Sequence, residues 1–323
     1  MDEPGPRHDP ARHIAGSGGV LRALRNLGLL GHVSGWGETL ESFETADGAR
    51  IAVRVMGPPP SAERPAVVFA HGLGCSHGHW MPVARRVARH RRVLAWDARG
   101  HGRSIVPAGV AIDLQHISRD LAAMLDHHGL EQVVLVGHSM GALAVMRYLH
   151  DHGNGRVAAL VLVDQSPRIV TDDLWRLGMF GHCSAAMLLD TIALARRDLA
   201  DTVLREIEGA GSAWWRARLA PDAALGRLLR RWLGRIDAAP LLDLAESLAR
   251  ADFRALIPRL DMPLHVVLGG RSAHYGNVPL AGYYRQTVPH ASIAVYPKAG
   301  HSPHVSEPRR FADDLLGFLA DHA

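Results

Sequence analysis

The sequence predicts an α/β protein: a mostly parallel, eight-stranded sheet with helices on both faces and a helical insertion after the sixth strand. Three observations carry this. From Pro65 onward, short apolar runs alternate with segments of helical spacing, the pattern of parallel strands joined by crossover helices. The alternation stops between Ser166 and Leu260, where no strand pattern occurs, and resumes at Pro263. Between one apolar run and its following helix lies Gly137-His138-Ser139-Met140-Gly141, a G-x-S-x-G segment that turns a chain from strand to helix within a few residues.

Taken in order, residues 1–40 read as an N-terminal extension. Residues 1–18 are poor in apolar side chains and predict disorder, and Val20 to Leu30 predicts a short basic amphipathic helix. Glu41 to Val55 reads as two strands around the hairpin signal Asp47-Gly48, and Gly57-Pro58-Pro59-Pro60 then breaks the chain. Ala66 to Ala70 is a buried strand ending at His71-Gly72, Trp80 to His90 a helix, and Arg92 to Trp96 a strand ending at Asp97. Ile112 to His128 has helical spacing. Val133 to Val136 is the central strand, and Val157 to Val163 is the next, ending at Asp164. A helical insertion over 166–260 follows. In it Leu188, Ile192, Ala195, Leu199, Val203 and Ile207 share one helical face, with Gly209 as a stop. Trp175, Trp214, Trp215 and Trp232 also fall there, expected to pack or to line an apolar pocket. Pro263 to Leu268 and Ser292 to Tyr296 are strands; Pro279 to Thr287 and Pro308 to Ala320 are helices. The core therefore comprises 41–165 and 261–323.

Composition narrows the function. With 47% hydrophobic and 21% charged residues over 323 positions, the chain can bury a large core. Its net charge of +4 comes from arginine, Lys298 being the only lysine, with no basic block interleaved with aromatics; nucleic acid is not an expected partner. Cys75 and Cys183 alone cannot build a disulfide framework or a thiolate metal cage. No apolar run is long enough to span a bilayer, and the opening M-D-E-P-G-P-R-H-D-P is unlike a secretory leader. The expectation is a soluble, cytoplasmic protein. Oligomeric state is left open.

Chemistry centres on Ser139. A serine hydroxyl is a weak nucleophile at neutral pH and needs a base held by an orienting acid. The candidate base is His301 in K-A-G-H-S-P-H, just after the last strand, with His304 as the substitute.

The chain resembles the α/β-hydrolase superfamily, in its cap-containing branch of esterases, epoxide hydrolases and cofactor-free haloperoxidases. The resemblance runs from about Ser42 to the C-terminus. It rests on His71-Gly72 with Ser76 and Trp80, on Asp97-Ala98-Arg99-Gly100-His101-Gly102-Arg103-Ser104, on Gly137 to Gly141, and on Gly300-His301 with Glu307-Pro308. It implies that Ser139 is the nucleophile, His301 the general base, and the backbone amides of Leu73 and Met140 the oxyanion hole. The insertion would be a helical cap, and the Asp97–Ser104 loop structural. His71, Gly72, His138, Trp80 and Trp175 are candidates for the substrate pocket, with His138 more expected to pack beneath the turn. The acid departs from the family pattern. Relatives usually carry an Asp after the seventh strand, where this chain has Ser272, and no carboxylate lies between Met262 and Ser306. Asp164 is the alternative, as in haloalkane dehalogenases; otherwise it caps the following turn. The expected activity is cleavage of a carboxylic ester, lactone or thioester of a small, partly apolar acyl compound through an acyl-enzyme, with no metal or organic cofactor. The alternatives are C–C bond hydrolysis, haloperoxidase-type perhydrolysis, and a non-catalytic ligand sensor.

Overall fold

Eight strands form one sheet in the order β1-β2-β4-β3-β5-β6-β7-β8. They are β1 (Thr39–Glu44), β2 (Arg50–Met56), β3 (Ala66–Ala70), β4 (Val93–Trp96), β5 (Val133–His138), β6 (Val157–Val163), β7 (Leu264–Gly269) and β8 (Ser292–Tyr296). Only β1/β2 and β2/β4 pair antiparallel; every other pair is parallel. This computed structural model describes residues 38–210, 217, 220, 223–235 and 237–323. The expectations for residues 1–37, for Trp214 and Trp215, and for the side chains of Ile207 and Trp232 lie outside the described residues.

Continuous apolar runs such as Val133–Val136 are what a sheet covered on both faces requires. Val67, Phe69, Val134 and Val136 pack on one face against Trp80, on Val83 and Val87 of α1 (Met81–Val87), and on Phe311 and Leu315 of α10 (Pro308–His322). Val68, Leu135 and Leu160 face the other way. They meet Leu121 and Met124 of α2 (Leu114–His127), Leu143 and Met146 of α3 (Met140–His152), and Tyr284 of α8 (Asn277–Thr287). Each such fully buried Leu or Val contributes roughly 2 kcal/mol. The short α9 (Pro303–Ser306) leads into α10.

Between β6 and β7 run α4 (Ala185–Arg197), α5 (Leu199–Ala210), α6 (Ala224–Leu233) and α7 (Ala239–Arg250). The single helical face expected from Leu188 to Ile207 is instead split in two. Asp198 leaves helical geometry at φ −151 and ψ 92, and its carboxylate accepts the Asp201 amide at 2.8 Å, capping α5. That helix ends at Ala210, one residue past Gly209.

The loop after β4 is tied down by a buried cation. The Arg99 guanidinium is 1% exposed and forks onto Asp120 of α2 through Nε at 2.7 Å and Nη2 at 2.6 Å. Its Nη1 donates to Asp47 in the β1–β2 turn at 2.9 Å. One residue thereby joins hairpin, loop and helix. Removing one partner of a buried, bidentate pair strands the other charge. Asp120→Ala is expected to lower unfolding stability by about 3 kcal/mol, and Asp47→Ala, at a partly exposed position, by about 1 kcal/mol or less; urea denaturation of the two variants measures the difference.

Candidate active site

Ser139 sits at the join of β5 and α3 with φ 53 and ψ −122, a left-handed conformation that costs a non-glycine residue of order 1–3 kcal/mol. The flanking glycines make the turn possible. A Cβ on Gly137 would stand 2.6 Å from Ala142 Cα, and one on Gly141 would stand 2.3 Å from Ala70 O. Both obstacles are backbone, so neither position accepts a side chain without moving an element. The sharp reversal leaves Ser139 half-buried at the C-terminal end of the central strand.

His301 reaches the same end of the sheet from the loop after β8. Its Nδ1 lies 2.7 Å from Asp164 Oδ2. Asp164 directly follows β6 and is itself left-handed at φ 47. Its carboxylate is 1% exposed; Oδ1 accepts the Gly269 amide at 2.8 Å and Oδ2 accepts the Ser272 hydroxyl at 2.6 Å. With a carboxylate as acceptor, Nδ1 carries the proton and Nε2 is left as the basic nitrogen. Burial pushes His301 down to about 4 and pushes the Asp164 carboxyl up, opposed by the Ser272 hydroxyl and the Gly269 amide. The imidazole is therefore neutral at pH 7.

The ring of His301 is clasped between two others. His274 stacks on it at 4.0 Å and 21°, and His138 lies at 4.8 Å and 52°. His138 Nε2–H donates to the His301 carbonyl at 2.8 Å, so His301 is anchored to the residue just before Ser139. Burial, then the nearby His301, pushes His138 down to about 3 and His274 to about 4. Among the described residues Ser139 Oγ makes no hydrogen bond to His301; in substrate-free sites that contact is commonly long.

Two backbone segments border the serine. Met140 opens α3, and amides of a first helical turn have no acceptor within the helix. Leu73 follows Gly72, where a Cβ would stand 3.4 Å from Ser139 Cβ and 2.9 Å from His138 Nδ1. The loop after β3 therefore runs in contact with the serine turn.

The structure thus brings together Ser139, His301, Asp164, His138, Gly72, Leu73 and Met140. Three pocket candidates are corrected. Trp80 has no exposed surface and stacks on His304 at 4.0 Å and on Phe69 at 4.8 Å, deep in the core beneath the sheet. His71 is 2% exposed, with its ring nitrogens engaged by backbone. Trp175 is buried: its Nε1–H donates to Arg168 O at 3.0 Å and its ring meets Tyr283 edge-on. His304 is likewise wholly buried, not a substitute base. The sequence reading missed His274, two residues past Ser272; nothing in its spacing separates it from the chain's other histidines.

Comparison with known proteins agrees with this architecture. Residues 67–314 match the alpha/beta hydrolase family. A non-heme haloperoxidase of Rhodococcus erythropolis is 42% identical over 130 residues, which span 40% of this chain and 45% of that protein. A pimeloyl-[acyl-carrier protein] methyl ester esterase of Chromobacterium violaceum is 30% identical over 80% of this chain and 94% of its own. The crystal structure of a hydrolase from Pseudomonas aeruginosa PA01 superposes with a TM-score of 0.67 at 25% identity, covering 87% and 98% of the two chains. With the family match extending over most of the described residues, this chain belongs to the alpha/beta hydrolase family.

Proposed function

We propose that the protein is a serine hydrolase that cleaves a carboxylic ester, lactone or thioester through an acyl-enzyme. The observation that carries the reading is the 2.7 Å contact of Asp164 with His301 Nδ1 beside a serine in left-handed geometry. Ser139 Oγ attacks the acyl carbon while His301 Nε2 takes its proton. Asp164 holds the ring in the required tautomer and stabilises the imidazolium that forms. The tetrahedral oxyanion lies on the amides of Leu73 and Met140, each such donor being worth roughly 3 kcal/mol. His301 returns its proton to the leaving alkoxide or thiolate, then draws one from water, which attacks the acyl-enzyme; as the acyl–Oγ bond breaks and the acid leaves, that proton passes from His301 to Ser139 Oγ. Helices α4–α7 form the cap over this site. The ester-cleaving relative from Chromobacterium violaceum supports the reaction class, and the half-exposed Leu73 and Phe180 near the site suit a partly apolar substrate.

The resemblance to a haloperoxidase over 130 residues favours one second reading: hydrogen peroxide replaces water in deacylation, and the acyl group leaves as a peracid. Peroxide-dependent bromination of a phenol, lost in Ser139→Ala, would select it over simple ester hydrolysis.

Ser139→Ala is expected to abolish both turnover of p-nitrophenyl acetate and covalent labelling by a fluorophosphonate; wild-type turnover in this variant removes the proposal. Asp164→Asn keeps the partners Gly269 and Ser272 and should fold, yet lose about 10³–10⁴ in kcat through the wrong tautomer of His301, as steady-state kinetics would register. The acid limb gives a third test. Only neutral His301 accepts the serine proton, and burial pushes its pKa down. kcat/KM is therefore level at neutral pH and falls on acidification with a midpoint below 6.5, the solvated value. Stability moves the same way, because below that value the unfolded chain binds a proton that the native one does not. A midpoint at or above 6.5 contradicts the assignment.

A further inference from the structure

The Asp97–Ser104 loop is built like part of the site, although it contributes nothing to the chemistry above. The loop after β3, which carries Leu73, is gripped by it at three points. His71 Nε2 accepts the Ala98 amide at 3.0 Å. His101 Nε2 accepts the Gly74 amide at 3.1 Å. Asp97 Oδ1 accepts the His77 amide at 2.6 Å and the His77 Nδ1–H at 2.8 Å.

The second grip falls on a decisive peptide. Cys75 N–H donates to Gly72 O at 3.1 Å, closing a turn with Leu73 and Gly74 at its centre. Gly74 has φ +70, as the third residue of a type II turn demands. The Gly74 N–H belongs to the central peptide of that turn, the unit whose flip converts one turn type into another. Holding it fixes the backbone that aims the Leu73 amide.

We propose that His101, seconded by His71, is a positioning residue for the oxyanion loop: by accepting the Gly74 amide it locks the turn that presents Leu73 N–H to the developing oxyanion. The inference rests on the hydrolase reading above. Both histidines are committed to the same tautomer. His71 Nδ1–H donates to Gly72 O at 2.8 Å and His101 Nδ1–H to Arg99 O at 3.0 Å, which leaves Nε2 as the acceptor in each. Protonation would set an N–H against an N–H and break the grip. The surroundings oppose it. Burial lowers both values, that of His71 to about 3, where the adjacent His101 adds to the effect. The rings meet edge-on at 5.0 Å, and His79 also disfavours a charge on His71; Asp97 pulls the other way on both, as do the Gly72 carbonyl on His71 and the Arg99 carbonyl on His101.

The test is kinetic. His101→Phe keeps a ring without an acceptor; His101→Gln brings a carbonyl oxygen that does not titrate to the Nε2 position. His101→Phe is expected to lower kcat on p-nitrophenyl acetate at least tenfold with KM within twofold. Affinity for an alkyl boronic acid, whose tetrahedral adduct uses the same amides, should fall by the same factor. His101→Gln should return to within threefold of wild type. Wild-type kcat and boronate affinity in His101→Phe, or a His101→Gln as slow as His101→Phe, overturns the proposal. Ser139→Ala is run alongside, since full turnover there condemns the hydrolase reading rather than the positioning role. If His101→Phe does not fold, the amide proton of Gly74 in ¹⁵N-labelled wild type decides. A shift that follows the ionisation of His101 supports the grip; one unmoved through it overturns it.

Discussion

The contact between His301 Nδ1 and Asp164 Oδ2 joins residues 137 positions apart, and the arrangement of the site depends on it. Asp164 reaches the ring because β6 lies next to β5, so that the acid and the serine leave neighbouring strand ends. Its carboxylate would be costly to bury alone. The Gly269 amide and the Ser272 hydroxyl offset that cost, and they come from β7 and its following loop. Three adjacent strand ends thus converge on one carboxylate. The sheet order is what turns a pattern of hydrogen bonds into a fixed ring orientation.

Strain is concentrated where this convergence occurs. Three non-glycine residues among those described have positive φ: Ser139, Asp164 and Phe180. The first two are the serine of the β5–α3 turn and the carboxylate bonded to His301. Phe180 donates its amide to His274 O at 2.7 Å, and its ring lies 5.5 Å from the imidazole that stacks on His301. Each unfavourable conformation persists because its surroundings over-determine it. For Ser139 the constraint is backbone packed around Gly137 and Gly141; for Asp164 it is an amide bonded to Val267 O at 2.7 Å.

The sheet was legible in the sequence because parallel strands covered on both faces must be apolar at nearly every position, and Val133–Val136 and Val157–Val163 show it. Ser139 was legible because the steric demand of the turn writes glycine on both sides. Asp164 came from the resemblance, which expects an acid after β7 where this chain has none and has relatives that draw theirs from the end of the sixth strand, rather than from any local signal. What failed did so for physical reasons. An aromatic beside a site motif, such as Trp80, reads the same whether it faces a pocket or the underside of a sheet; only the packing partners His304 and Phe311 separate the two. The break at Asp198 lies within an unbroken apolar period, so periodicity alone runs the helix through it. His274 carries no mark, since stacking on His301 depends on a loop path that spacing does not encode.

The histidines show why tautomer matters more here than residue identity. His71, His101 and His301 each bond through Nδ1, with oxygen partners from Gly72, Arg99 and Asp164. His138 bonds through Nε2 instead. In a buried neutral ring, one nitrogen donates and the other accepts, so an Nδ1–H bond turns the far nitrogen into an acceptor. At His71 and His101 that acceptor meets a backbone amide and becomes structure. At His301 the hydrogen bonds among described residues include none on Nε2, and the acceptor remains available as a base. The same local rule therefore yields a tether or, in the proposed mechanism, a general base, according to what the second nitrogen faces. A charged partner distinguishes them further: a backbone carbonyl suffices to fix a tautomer, whereas the carboxylate of Asp164 also stabilises the proton that a base must carry through the transition state.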